Sequence, residues 1–153
     1  MNKEENTLET EGKMIQVNNS ETLVDIEDVH YRMYCVVLRQ LSPIQKGVQG
    51  AHSICEYTSQ YLFDGVYRKW ARDDKTLVLL NARDVQDIYE IRKVLNTYKV
   101  KNAIFKEESL DGIVTSISFI FDNHIYDYTE EYEIGDERTY ALRKIIETRK
   151  LAN

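Results

Sequence analysis

The stretch "YRMYCVVLRQLSPIQKGVQGAHSICEY", residues 31–57, changes character at its middle. Its first ten residues are β-branched and aromatic around a continuous apolar centre, the composition of a strand buried on both faces. Then come Ser42 and the only proline of the chain, Pro43. A serine followed by proline marks a helix start: the hydroxyl caps free N–H groups, and proline at the first helical position loses no hydrogen bond. From Pro43 to about Phe63 the pattern is helical. Ile44, Val48, Ala51, Cys55, Thr58 and Leu62 fall on one face of the 3.6-residue period and form the expected core face. A buried strand running into a capped helix is the opening unit of an α/β layered domain.

The rest of the chain continues that alternation. "DG" at 64–65 ends the first helix, and "VYRKWARDD" reads as a short second one. "KTLVLLNA" (75–82) is a second buried strand. A helix starts near Asp84 with Val85, Ile88, Ile91 and Leu95 as its core face. "NAIFKEE" is a third strand. "IVTSISFIF" (113–121) is a fourth, in which Ile113, Thr115, Ile117, Phe119 and Phe121 alternate with Val114, Ser116, Ser118 and Ile120. "DERTYALRKIIETRKLA" closes as an amphipathic helix capped by Asp136. The expected fold is a three-layer α/β/α domain with a mixed four-stranded sheet, occupying residues 31–121. It is preceded by an acidic, mostly disordered arm (1–30) and followed by an acidic connection and a helix that packs on the domain (122–153). Within the arm, "MIQV" and "ETLVDIEDV" are weakly patterned enough for a short extended piece.

Composition limits the functions. A chain of 153 residues with 42% hydrophobic content and eleven tyrosines holds one domain with a full core. No window of about 18 apolar residues exists, so no membrane span is expected. "MNKEENTLETEGK" lacks the basic start and apolar centre of a signal peptide. Cys35 and Cys55 lie inside regular elements, as reduced thiols of a cytoplasmic protein do. No Cys/His cluster has metal-ligand spacing, no G-x-G-x-x-G or P-loop is present, and neither a metal nor a cofactor is expected. The net charge of −6 opposes unspecific nucleic-acid binding. Yet residues 31–121 carry thirteen Lys/Arg against ten acids, between flanks of net −6 and −3. These are either ordinary solvated faces or a central surface for an anionic partner.

On the first helix Gln45, Gln49, His52 and Glu56 are spaced by four, three and four, and so lie within about 60° of each other. The line borders the apolar face. It begins beside the carboxyl end of the first strand, where open α/β sheets bind ligands and where a helix N-terminus favours an anion. Spacing alone also fits a plain helix flank whose Gln, His and Glu bond neighbouring backbone. Trp70 with Tyr67 reads as a packing anchor or, alternatively, a base-stacking platform. His30 and His124 have no partner visible in the sequence, and Tyr126, Tyr128 and Tyr132 suit a surface loop or a protein interface.

A strand, a Gly/Lys-bearing turn and then Gln-x-x-His on a helix resembles the type II peptidyl-tRNA hydrolase family, whose first helix opens G-K-x-A-A-Q-x-x-H-A. Gln49 and His52 match the Gln and His, Ser53 stands for the small residue that follows, and Gly47 and Val48 stand for the two alanines. The family's D-A-G-x-T signature is paralleled by Asp111 and Thr115 in "LDGIVTSISFIF". Divergent, often phage-encoded members are closer. Their L-S-x-x-Q-x-G-x-Q-x-x-H is matched by "LSPIQKGVQGAH", and their F-x-E-P-D-L…T-A-I-A by Phe105, Glu107, Leu110, Thr115 and Ile117. The resemblance spans roughly residues 31–121. Gln45 stands where the family keeps its catalytic lysine, and Lys46 follows one residue later.

What the resemblance implies is hydrolysis of the ester between a peptide and the 3′ ribose of tRNA. The residues it points to are Lys46 to stabilise negative charge, Asp111 to orient water or act as a base, and Thr115 to bond the substrate carbonyl. His52 is an alternative base, an imidazole being the side chain that ordinarily titrates near neutrality. Ser42, Gln45, Gln49, Glu56 and Glu107 would bind substrate, and Arg39, Lys46, Arg68, Lys69 and Arg72 would meet the tRNA backbone. The competing reading is a catalytically inactive hydrolase-fold protein using a Gln45/Gln49/His52 pocket for a small ligand or protein partner. The partners to consider are tRNA or peptidyl-tRNA, a protein bound through the acidic segments, and a second copy of the chain.

Overall fold

The computed structural model describes residues 29–127 and 136–153. The proposed acidic arm, apart from its last two residues, and the tyrosine-rich connection at 128–135 lie outside the described residues. Along the chain run β1 (Tyr31–Leu38), α1 (Pro43–Tyr61), α2 (Gly65–Lys69), a π-helical turn (Trp70–Asp74), β2 (Thr76–Ala82), α3 (Val85–Thr97), β3 (Asn102–Glu107), a 3₁₀ turn (Glu108–Leu110), β4 (Ile113–Asp122), α4 (Asn123–Tyr126) and α5 (Glu137–Glu147). The four strands form one mixed sheet in the order β2-β1-β4-β3. β1 pairs parallel with β2 and antiparallel with β4, and β4 pairs antiparallel with β3. The α/β class and the mixed four-stranded sheet are as the alternation of elements predicts.

Apolar side chains separate onto the two faces of this sheet. Tyr34, Val36 and Leu38 of β1 join Ile88, Ile91 and Leu95 of α3 and Leu142 and Ile145 of α5 in one cluster. Met33 and Cys35, pointing the other way, join Tyr57 of α1 and Trp70. Helices on both faces are why β1 is buried from Met33 to Leu38 and reads as an unbroken apolar run. Trp70 is the anchor expected of it: 9% exposed, it packs against Tyr67 and donates its indole N–H to the Thr76 carbonyl at 2.8 Å.

Three sequence expectations are corrected. The first is the face of α1. Its buried residues are Lys46, Gln49, Gly50, Ser53 and Tyr57, whereas Ile44 is 81%, Val48 46% and Leu62 49% exposed, and Ala51 and Cys55 are exposed too. Of the polar line only Gln49 faces the sheet; His52 and Glu56 are half-buried along its flank and Gln45 is exposed. The reason is steric: a Cβ on Gly50 would lie 3.0 Å from Leu79 Cδ1, so the helix lies this close only with Gly50 turned to the sheet. The second is α5, which ends at Glu147 rather than running to Ala152; residues 150–152 instead pair with β2. The third concerns the histidines, which do have partners: His30 Nδ1 lies 3.0 Å from Asp74 and His124 Nδ1 3.5 Å from Asp122.

Candidate functional site

The site is built from the outset of α1, the end of β3 and the start of β4. Ser42 and Gln45 form a capping box: the Ser42 hydroxyl accepts from the Gln45 amide at 3.3 Å, and the Gln45 side-chain oxygen accepts from the Ser42 amide at 3.1 Å. Both residues are exposed, and these contacts explain them as a helix start. The cap fixes where the first turn begins and so directs Lys46 and Gln49 inward.

The register of β3 against β4 shifts between Phe105 and Lys106, whose partners are Ser116 and Val114. Thr115 is therefore an extra residue in β4. A bulge of this kind re-aims a side chain. Strict alternation assigns Thr115 to the face of Ile117 and Phe119; the bulge turns both Thr115 and Ser116 toward α1. The Thr115 hydroxyl donates to Gln49 Oε1 at 2.5 Å, and the Ser116 hydroxyl donates to the Gln49 main-chain carbonyl at 2.7 Å. The other end of the Gln49 amide, Nε2, donates to Glu107 Oε2 at 2.8 Å. Gln49 thus links a buried hydroxyl to a carboxylate. The Glu107 carboxyl is held below its ordinary value, first by that Gln49 hydrogen bond and then by the hydroxyl and amide of Ser109. It stays ionised.

His52, one turn beyond Gln49, is half-buried and packs its ring on Phe105 with centroids 4.4 Å apart. Its Nδ1 is buried and has no hydrogen-bond partner, a state that in folded proteins calls for a specific explanation. Glu56 flanks it on an open concavity of about 520 Å³ together with Phe105, Glu107 and Glu108. Lys46 is only 6% exposed, one turn before Gln49, and its ammonium donates to the Asn153 main-chain oxygen at 3.0 Å. The one-residue offset from the family pattern has not sent this lysine into solvent.

Asp111 stands apart. It is exposed at the turn between β3 and β4, in a left-handed conformation with φ 58°, and among the described residues no hydrogen bond or ion pair joins it to Lys46, His52 or Thr115. The five cations expected to form one tRNA surface also divide. Arg68 and Lys69 lie in α2 and Arg72 in the adjoining π turn, Lys69 and Arg72 both pairing with Asp73. Arg39 follows the opposite end of β1, where it lines an open cavity of about 460 Å³ with Asn81, Arg83, Arg149 and Lys150. Arg83, Arg149 and Lys150 were not among the sequence candidates; Arg39 and Arg83 are far in the chain from the adjacent pair Arg149 and Lys150, and only the fold gathers them. Also unforeseen is a polar seam beneath α1, in which Ser118 Oγ lies 2.5 Å from Ser53 Oγ and 3.0 Å from Cys35 Sγ. Burial pushes the Cys35 thiol up to about 11, so it remains protonated. Among the described residues no group of three or more His, Cys, Asp or Glu is arranged to hold a metal ion, and no helix is long and apolar enough to cross a membrane.

No family model matches the chain, and no curated protein matches it. Among solved structures, a protein of unknown function from Agrobacterium tumefaciens strain C58 is similar in fold, with a TM-score of 0.50 at 12% identity over 80% of this chain and 98% of that one. This likeness concerns the α/β fold alone.

Proposed function

We propose that the chain is a peptidyl-tRNA hydrolase-like protein, of the divergent type II kind, that cleaves the ester of peptidyl-tRNA at the face where α1 meets β4. The observation that carries this reading is that Gln49, His52, Glu107 and Thr115, far apart in the chain, meet where α1 lies on β3 and β4 with an ionised carboxylate and an orphaned imidazole nitrogen, while Lys46 is buried one turn before Gln49 on the same helix. Ester hydrolysis needs a proton acceptor for water and a donor for the oxyanion. His52 takes the first role and Lys46 the second. Glu107 favours the imidazolium that forms, and Gln49 with Thr115 holds the carboxylate in place. Asp111 has no part in the step. The tRNA phosphates meet Arg39, Arg83 and Lys150.

A second reading, an inactive hydrolase-fold binding protein, draws support from the placement of Asp111 in solvent and from the engagement of both ends of the Gln49 amide by Thr115 and Glu107. Turnover separates the two. Micromolar chain releases peptide from a peptidyl-tRNA analogue, and His52→Gln lowers kcat about 100-fold, the scale of a lost general base. No turnover by the unaltered chain would leave the binding reading standing alone.

A further inference from the structure

Residues 150–153 lie against β2, one of the two outer strands of the sheet. The pairing is antiparallel. The Asn81 amide donates to the Lys150 carbonyl and the Ala152 amide to the Leu79 carbonyl, both at 2.9 Å. The Asn81 side chain, through Nδ2, donates to the Leu151 carbonyl at 2.9 Å, and Lys46 Nζ donates to the Asn153 main-chain oxygen at 3.0 Å. Every one of these bonds goes to main chain. Most side chains of the segment are exposed, Leu151 at 67% with Lys150 and Asn153, and only Ala152 is half-buried. The protein therefore holds this segment by features that any extended peptide possesses.

The fit is also incomplete. Asn81 Oδ1 is buried without a hydrogen-bond partner. The Lys46 ammonium, with three N–H groups and almost no exposure, finds one acceptor among the described residues. A buried cation and a buried amide oxygen, each under-used, mark a site made for a ligand richer in donors and acceptors than its present occupant. We propose that the groove between α1 and the outer edge of β2 is a binding site for an extended peptide, which adds to β2 as a strand and sets a carbonyl oxygen on Lys46. Residues 150–153 occupy that site in cis. Held by main-chain hydrogen bonds with its one large apolar side chain, Leu151, left exposed, the segment exchanges with a competing peptide. The proposal stands whether or not the chain hydrolyses an ester, because it is read by binding.

The probe is a fluorescein-labelled peptide with the sequence of residues 149–153, followed by anisotropy. Ala152→Pro in the full chain removes the N–H that bonds Leu79 and frees the groove. This variant binds the peptide at least about ten-fold tighter than the unaltered chain, and adding Lys46→Met reverses the gain. Equal binding by the two chains, or binding indifferent to Lys46→Met, overturns the proposal. If Ala152→Pro fails to fold by circular dichroism, the unaltered chain decides. Excess peptide then speeds hydrogen exchange of the Ala152 amide about ten-fold as the segment is displaced, and an unchanged rate overturns the proposal.

Discussion

Thr115 has no single partner on β3, and the bulge it creates is what turns its hydroxyl onto Gln49. Replacing it by valine keeps the shape but leaves Gln49 Oε1 buried and unpaired. Thr115→Val is expected to cost about 1–3 kcal/mol, read as a lower urea midpoint with unchanged slope; an unmoved midpoint would deny the bond. A second buried polar residue sets the acid limit. Asp87, 1% exposed, accepts from Arg149 at 2.6 Å and Arg83 at 2.9 Å. Burial alone would raise its carboxyl, but the two guanidiniums outweigh burial and hold it at about 2 against the ordinary 3.8. A depressed carboxylate stabilises the fold fully above about pH 4 and ceases to do so as pH falls toward 2, an effect of about 2 kcal/mol. Asp87→Asn should therefore be less stable at neutral pH and lose less on acidification over that window. At this scale Gln49, His52, Glu107 and Thr115 are legible in the sequence, because their types and spacing form a pattern. The direction of Thr115 and the burial of Lys46 and Asp87 are not, since they depend on a strand register and on residues distant in the chain.

α1 shows how an element can be located correctly and turned the wrong way. Its cap, its proline and its length follow from local sequence. Its orientation does not, because hydrophobic periodicity assumes that the apolar face is the buried one. Here closeness decides. Gly50 sits against Leu79, Val37 and Cys35, while nothing lies within 4 Å of a Cβ built on Gly47. The two glycines of one helix thus predict opposite outcomes. Gly47→Ala is expected to raise stability by about 0.5–1 kcal/mol through helix propensity alone. Gly50→Val forces the helix off the sheet and is expected to cost about 1–3 kcal/mol. Thermal melts of both variants check the pair; equal shifts would mean that α1 does not lie as described. β1 and α3 are read correctly because for them burial and hydrophobicity coincide, Ile88, Ile91 and Leu95 being buried as their spacing predicts; β2, expected as a buried strand, is an outer strand with only Leu80 and Ala82 buried and Leu77 47% exposed.

Over the whole molecule, the alternation of elements suffices to give the α/β class and the mixed sheet, while the order β2-β1-β4-β3 brings the end of β3 and the start of β4 beneath α1. That juxtaposition joins Glu107 and Thr115 to Gln49 and leaves Asp111 in the turn outside. It also divides the cations, so that Arg39, Arg83 and Lys150 line one cavity while Arg68, Lys69 and Arg72 lie elsewhere. The catalytic proposal rests on the same arrangement: the ammonium that matters is Lys46, and the aspartate suggested by the family pattern is not needed. Single-turnover release of peptide from a peptidyl-tRNA analogue, with the chain in excess, tests this most directly. The account predicts release by the unaltered chain, a rate about 100-fold or more lower for Lys46→Met, and Asp111→Asn within about two-fold of the parent. Absence of release, or a loss confined to Asp111→Asn, would contradict it.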